Sequence, residues 1–217
     1  MFFQNVIIPS LQLINSIKNF HFISSEEVDP SLTVESICFP RGYKVDEPIV
    51  SYHASDFVTS RIRGDKPGIF SSPKYAQKMV SQFLKQKNIS NFVTITSREL
   101  DRDDNNKSRS LNIEEWARAT SEFLALDIQP IVIRDTAKAF DENLLLENAL
   151  ECPEASIHLH FRLALYERAL HNFAKISGPT TLLYFSNCSS TCFSGIDDTV
   201  ASISERFLNQ NFGMVPG

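Results

Sequence analysis

Arg98, Arg109, Ser110, Asp135, Arg162 and Tyr166 have the types and positions to hold an anionic, hydroxyl-bearing ligand. Arg98 leaves the apolar run Phe92-Val-Thr-Ile-Thr96 at its carboxyl end, the side of an open α/β sheet where ligands sit. A guanidinium there can grip a phosphate through two charge-assisted hydrogen bonds, or it can pair with Glu99 or Asp101. Arg109 and Ser110 close a loop dense in both signs of charge, directly before a helix start. Free backbone N–H groups and the helix dipole favour an anion at such a point, although capping alone accounts for Ser110 or Asn112. Asp135 follows the run Pro130-Ile-Val-Ile133 and can accept from a ribose or sugar hydroxyl, or simply shape a turn. His158, Arg162 and Tyr166 recur at i, i+4 on an otherwise apolar stretch. A buried arginine needs a partner, either Glu151 or Glu154 or an anionic ligand.

Other chemistries find little footing. His158 and His160, two apart on a helix, diverge by about 200° and cannot share a metal ion. Cys188 and Cys192 have no second pair. His53, in Ser51-Tyr-His-Ala-Ser-Asp56, is a lone loop histidine, more bystander than general base. The chain has no Gly-x-Ser-x-Gly elbow and no phosphate-binding Gly-x-x-x-x-Gly-Lys loop, and it holds seven glycines in all. No cofactor and no metal are expected.

The elements that must position these residues emerge after residue 70. Ser72 is a plausible N-cap with Pro73 at the first helical position, and Ala76, Met79, Val80, Phe83 and Leu84 form one stripe ending near Asn88. Residues 92–97 read as a strand. Asn112 caps a helix whose inward face is Ile113, Trp116, Ala117, Thr120, Phe123 and Leu124, and Pro130–Ile133 is the next strand. Strand, helix, strand with short links is a βαβ unit with parallel strands and a right-handed crossover. Ile157 to Phe173 reads as one long helix, apolar around most of its girth and therefore sandwiched. Thr181–Phe185 reads as a third strand after Gly178-Pro179, and Val200–Leu208 as a closing amphipathic helix. Residues 1–70 carry no regular period and form an irregular N-terminal segment, with the Rossmann-like domain over 71–217.

With 217 residues, 42% of them hydrophobic, the chain can fill a substantial core. A net charge of −5 gives no footprint for a nucleic-acid polymer or an anionic membrane surface. No run approaches the roughly 18 apolar residues of a membrane span. Cys38, Cys152, Cys188 and Cys192 are too scattered for a disulfide scaffold and read as reduced thiols, which points to the cytoplasm.

The order of these features carries a resemblance. Arg98 after a strand, Arg109-Ser110 ahead of Trp116, Ile-Val-Ile-Arg-Asp135, then Arg162-Leu-Ala-Leu-Tyr166-Glu-Arg-Ala169, Asn172 and Gly178-Pro179 resemble a group of bacterial GT-B-type glycosyltransferases, distantly like fucosyltransferases. The resemblance covers about residues 60–190. It implies an α/β three-layer Rossmann-like domain with a parallel sheet, a single GT-B half that binds a nucleotide-sugar donor without an essential metal. Arg98 and Arg109 would then neutralise the diphosphate, Ser110 would hydrogen-bond it, and Asp135 and Tyr166 would line the nucleoside side with Arg162 behind. The glycosyl group would pass to a glycan or other acceptor. The chain departs from the pattern in having Arg109 followed directly by Ser110, with no Asn between. The roughly 70 residues before Ser72 are too few for a second half. The chain is then a fragment, a reduced form, or half of an assembly whose second chain supplies the other half; the rival readings are a non-catalytic nucleotide-sugar-binding module and an interaction domain.

Overall fold

A computed structural model of the chain describes residues 7–14, 70–99, 111–193, 198 and 204–212. Five parallel strands form one sheet in the order β3-β2-β1-β4-β5. They are β1 (Phe92–Thr96), β2 (Gln129–Ile133), β3 (Leu150–Glu151), β4 (His171–Lys175) and β5 (Ser190–Phe193). The helices are α1 (Ile8–Gln12), α2 (Lys74–Gln86), α3 (Ile113–Ala125), α4 (Pro153–Ile157), α5 (Leu159–Arg168), α6 (Thr181–Tyr184) and α7 (Glu205–Phe212).

Alternation along the strands divides the core into two layers. Phe92, Ile131, Ile133 and Ala174 face one side and pack with Val80, Leu84, Leu163, Leu165, Leu182 and Leu183 from α2, α5 and α6. Ile95 and Val132 face the other and pack with Leu111, Leu146, Trp116 and Ala117, beneath α3. The domain is therefore α/β with helices on both faces of a parallel sheet, a three-layer Rossmann-like architecture. The links between β1, β2 and β3 run on the α3 face, and those from β3 to β4 and β4 to β5 on the α5 face. The strand order reverses between β1 and β4, and α/β sheets open a crevice at that point, beyond the carboxyl ends of the strands.

Several elements differ from their sequence expectation, each for a local reason. The expected helix over Ile157–Phe173 is two helices and a strand. His158 (φ −118°, ψ 103°) breaks it at the start, and Ala169 (φ −67°, ψ 144°) turns the chain into β4. Phe173 accordingly lies in β4. The helix is buried around most of its girth, from His160 to Tyr166, so hydrophobic periodicity carries no mark of where it ends. Thr181–Phe185, read as a strand, begins with α6 instead, because the turn at Gly178–Thr180 with its Pro179 leads straight into helical geometry. Short apolar runs are ambiguous in this way. The edge strand is Ser190–Phe193.

Smaller shifts have the same kind of cause. Pro73, not Ser72, is the N-cap of α2. The Ser72 hydroxyl donates instead to the Glu167 carboxylate, which also accepts from the Ser72 backbone N–H at 2.9 Å. Asn112 does cap α3, accepting from Glu115 N, but Ile113 and Leu124 are exposed. Met79 is exposed on α2 as well. The closing helix is Glu205–Phe212, later than expected, and Val200 and Gly213 lie outside the described residues. On the N-terminal side, Leu13 is buried in the α5-face core and Ile14 bridges Phe70 in antiparallel fashion. No helix among the described residues is long and apolar enough to cross a membrane.

Candidate functional site

The switch point between β1 and β4 is flanked by the turns that leave the ends of the strands. After β1, Ser97 N donates to Ile133 O (3.0 Å), which carries the pairing with β2 one residue past the strand and leaves Arg98 half-buried at the rim. The Arg98 guanidinium donates to Ile176 O (3.2 Å), so it spans the switch point from the end of β1 to the end of β4. Leu111 N donates to Arg98 O (3.1 Å), so the residues on either side of 100–110 lie together here. Arg109 and Ser110 lie outside the described residues, as does His53. Opposite Arg98, the turn Ser177–Thr180 is held by Thr180 N donating to Ser177 O (3.1 Å). A Cβ added at Gly178 would meet nothing within 4 Å, so space lies open over this turn.

Asp135 sits at the end of β2, and its Oδ2 accepts from Glu99 N at 2.7 Å. One carboxylate oxygen thus ties the ends of β1 and β2 together. Next to it is an ion pair that sequence reasoning missed. Arg134, 7% exposed, donates from Nε and Nη2 to the two Glu99 carboxylate oxygens at 3.0 and 2.6 Å. Its Nη1 reaches Asn143 O at 2.8 Å. Hydrogen bonding to Glu99 raises the Arg134 pKa despite partial burial. Glu99, which by spacing could have paired with Arg98, is thus committed to Arg134. The one signal in the sequence for that pairing is the strand-end position of Arg134, two residues past the buried Val132.

On the α5 face, Tyr166 is fully buried and its hydroxyl meets Thr96 Oγ1 at 2.6 Å. Burial raises its pKa, opposed by the nearby Arg162 charge and by the Thr96 hydrogen bond. Arg162 lies one turn earlier on α5. That helix runs from the carboxyl edge of the sheet back to its amino edge, so Arg162 stands beyond Thr96 toward the mouth. Arg162 is 4% exposed, and its Nε donates to Ala155 O. Glu151 and Glu154, the structural partners considered for it, are engaged elsewhere. Glu151 accepts from Leu145 N (2.6 Å) and lies 3.8 Å from Arg134, and Glu154 accepts the Cys152 thiol (3.5 Å). Burial pushes the Cys152 thiol up to about 12.

Arg98, Asp135, Arg162 and Tyr166 therefore gather at the carboxyl end of β1 and β2, Tyr166 forming its floor rather than an exposed wall. His158 is not on that stripe. It stands at the N-cap of α5, where Nδ1 accepts from Phe161 N at 3.2 Å. Because His158 precedes the helix, its ring lies 5.9 Å from that of His160 instead of on the opposite side. His160 in turn lies between Tyr75, whose hydroxyl meets Nδ1, and Pro9 O, 2.8 Å from Nε2. Among the described residues no three His, Cys, Asp or Glu side chains cluster as metal ligands. A separate hollow on α7 is lined by Asp198, Ser204, Glu205, Arg206, Asn209 and Gln210. No family model matches the chain, and no curated protein or solved structure matches it.

Proposed function

We propose that this domain binds a nucleotide-sugar donor at the β1/β4 mouth and serves as the donor-binding half of a glycosyltransferase-like protein. The observation that carries the reading is Arg98 spanning the switch point, at the place where α/β sheets receive nucleotides. Arg98, with Arg109 and Ser110, is assigned to the diphosphate. Asp135 is assigned to a hydroxyl of the nucleoside, through the carboxylate oxygen not used by Glu99 N. Tyr166 supports the floor through Thr96. The chemistry is displacement at the anomeric carbon, with guanidinium charge stabilising the departing diphosphate. The acceptor, of glycan type, and the groups that activate it belong to a second half or a second chain. A cytoplasmic location accords with the reduced-thiol reading of the cysteines.

A thermal-shift panel of nucleotide sugars tests the binding claim. A matching donor at about 100 times its dissociation constant adds nearly 3 kcal/mol of stability. Arg98→Ala lowers the affinity at least tenfold while the domain stays folded. A panel in which every donor leaves the melting temperature unchanged contradicts the proposal. Labelled donors with candidate acceptors then separate a transferase from a module that binds without turnover.

A further inference from the structure

Arg162 presents an electrostatic problem that the donor site as assigned does not solve. Its side chain is 4% exposed, yet no carboxylate among the described residues lies within ion-pair distance of it. Its one hydrogen bond here is from Nε to the neutral carbonyl of Ala155. A guanidinium withdrawn from water without a counter-charge is strongly disfavoured, and proteins otherwise pair such groups. Arg134 provides the internal contrast. Similarly buried, it is met by both oxygens of Glu99 along its Nε–Nη2 edge and has Asp141 and Glu151 nearby.

A second orphan lies on the adjoining residue. Ser156, next to the carbonyl that Arg162 uses, is 6% exposed, and its hydroxyl is buried with no hydrogen-bond partner. The Ser156 carbonyl accepts from Thr136 Oγ1 at 3.0 Å, which brings this turn against the chain just after Asp135. Two donor groups short of an acceptor, the Arg162 guanidinium and the Ser156 hydroxyl, thus belong to adjoining places: Arg162 bonds the carbonyl of Ala155, and Ser156 is the next residue, packed against the chain just after Asp135. The guanidinium influences its surroundings accordingly: it favours the ionised forms of Cys152 and Tyr166, against the dominant effect of burial on both.

We propose that Arg162 and Ser156 form a buried oxyanion site that takes a phosphate group, entering from the mouth at Asp135. Resting on the donor reading, this makes Arg162 a direct phosphate ligand, on the far side of the diphosphate from Arg98. The planar fork of the guanidinium donates to two phosphate oxygens and the Ser156 hydroxyl donates to one of them.

The test uses the full chain, with pyrophosphate, inorganic phosphate and a panel of nucleotide sugars as separate probes at matched ionic strength, in thermal shift and calorimetric titration. Pyrophosphate raises the melting temperature of the wild type. Arg162→Met, which removes the charge and keeps the bulk, melts no lower than wild type in plain buffer and loses the pyrophosphate response. Ser156→Ala, a smaller change that keeps the charge, weakens pyrophosphate binding several-fold. If inorganic phosphate alone reproduces the whole effect, the site is one for a free phosphate; a much larger response to the nucleotide sugar ties it to the donor. A wild type that answers pyrophosphate but no nucleotide sugar keeps the anion site and removes the donor reading. A wild type that answers a nucleotide sugar, with Arg162→Met and Ser156→Ala binding it as tightly, overturns the anion site and leaves the donor reading standing. An Arg162→Met variant that melts far below wild type, together with a Ser156→Ala variant of unchanged pyrophosphate affinity, also overturns it. No response of the wild type to any probe overturns both.

Discussion

Asn172 illustrates how individual polar residues hold this sheet. Its side chain is fully buried in β4, accepts from Thr94 Oγ1 (2.6 Å) and donates to Tyr166 O (3.0 Å) and Ser189 O (2.9 Å). It therefore joins β1, the end of α5 and the lead-in to β5 at the strand beside the switch point. Asn172→Ala strands those partners in a dry core and is expected to cost on the order of 2–3 kcal/mol in urea denaturation. A loss below about 0.5 kcal/mol would show that the partners find water. Thr120 in α3 is the opposite case, a fully buried residue whose hydroxyl has no partner. Thr120→Val keeps the shape and removes the orphan, so the same assay should register a gain of about 1 kcal/mol.

At the scale of elements, α5 sets the site because it delivers Arg162 and Tyr166 to the mouth, and its start depends on His158. Burial lowers the His158 pKa below 6.5, with the nearby His160 adding to the effect. Protonation also removes the Nδ1 acceptor that caps Phe161 N. A depressed pKa means the unfolded chain binds the proton more readily, so this share of stability is present above pH 6.5 and lost as pH falls below it. His158→Asn, a cap that does not titrate, should flatten the decline of melting temperature between about pH 7 and 5. An unchanged slope would assign the acid sensitivity to other groups. The same helix marks what the sequence revealed and what it hid. The periodic stripe of α2 and the Asn112 cap were legible because these helices are buried on one side only, and the strands read over 92–97 and Pro130–Ile133 because each is a short, fully buried run rich in β-branched residues. The boundary between α5 and β4 was not, since His160 to Tyr166 are buried irrespective of period. Arg98 and Asp135 were legible as strand-end residues. The Arg134–Glu99 pair and the Ser156 hydroxyl were not, because they depend on which strand ends become neighbours, and sheet order decides that.

For the whole molecule, the account depends on the order β3-β2-β1-β4-β5 and the switch point it creates at the carboxyl ends of β1 and β4. The direct test is a titration of the 15N-labelled chain with the nucleotide sugar that gives the largest thermal shift, monitored by amide NMR. The account predicts progressive shifts centred on the amides of Ser97 to Glu99, Asp135 and Ile176 to Gly178, weakened in Arg98→Ala. Shifts confined to Ser204 to Gln210 on α7, or an unchanged spectrum at millimolar ligand, would contradict it.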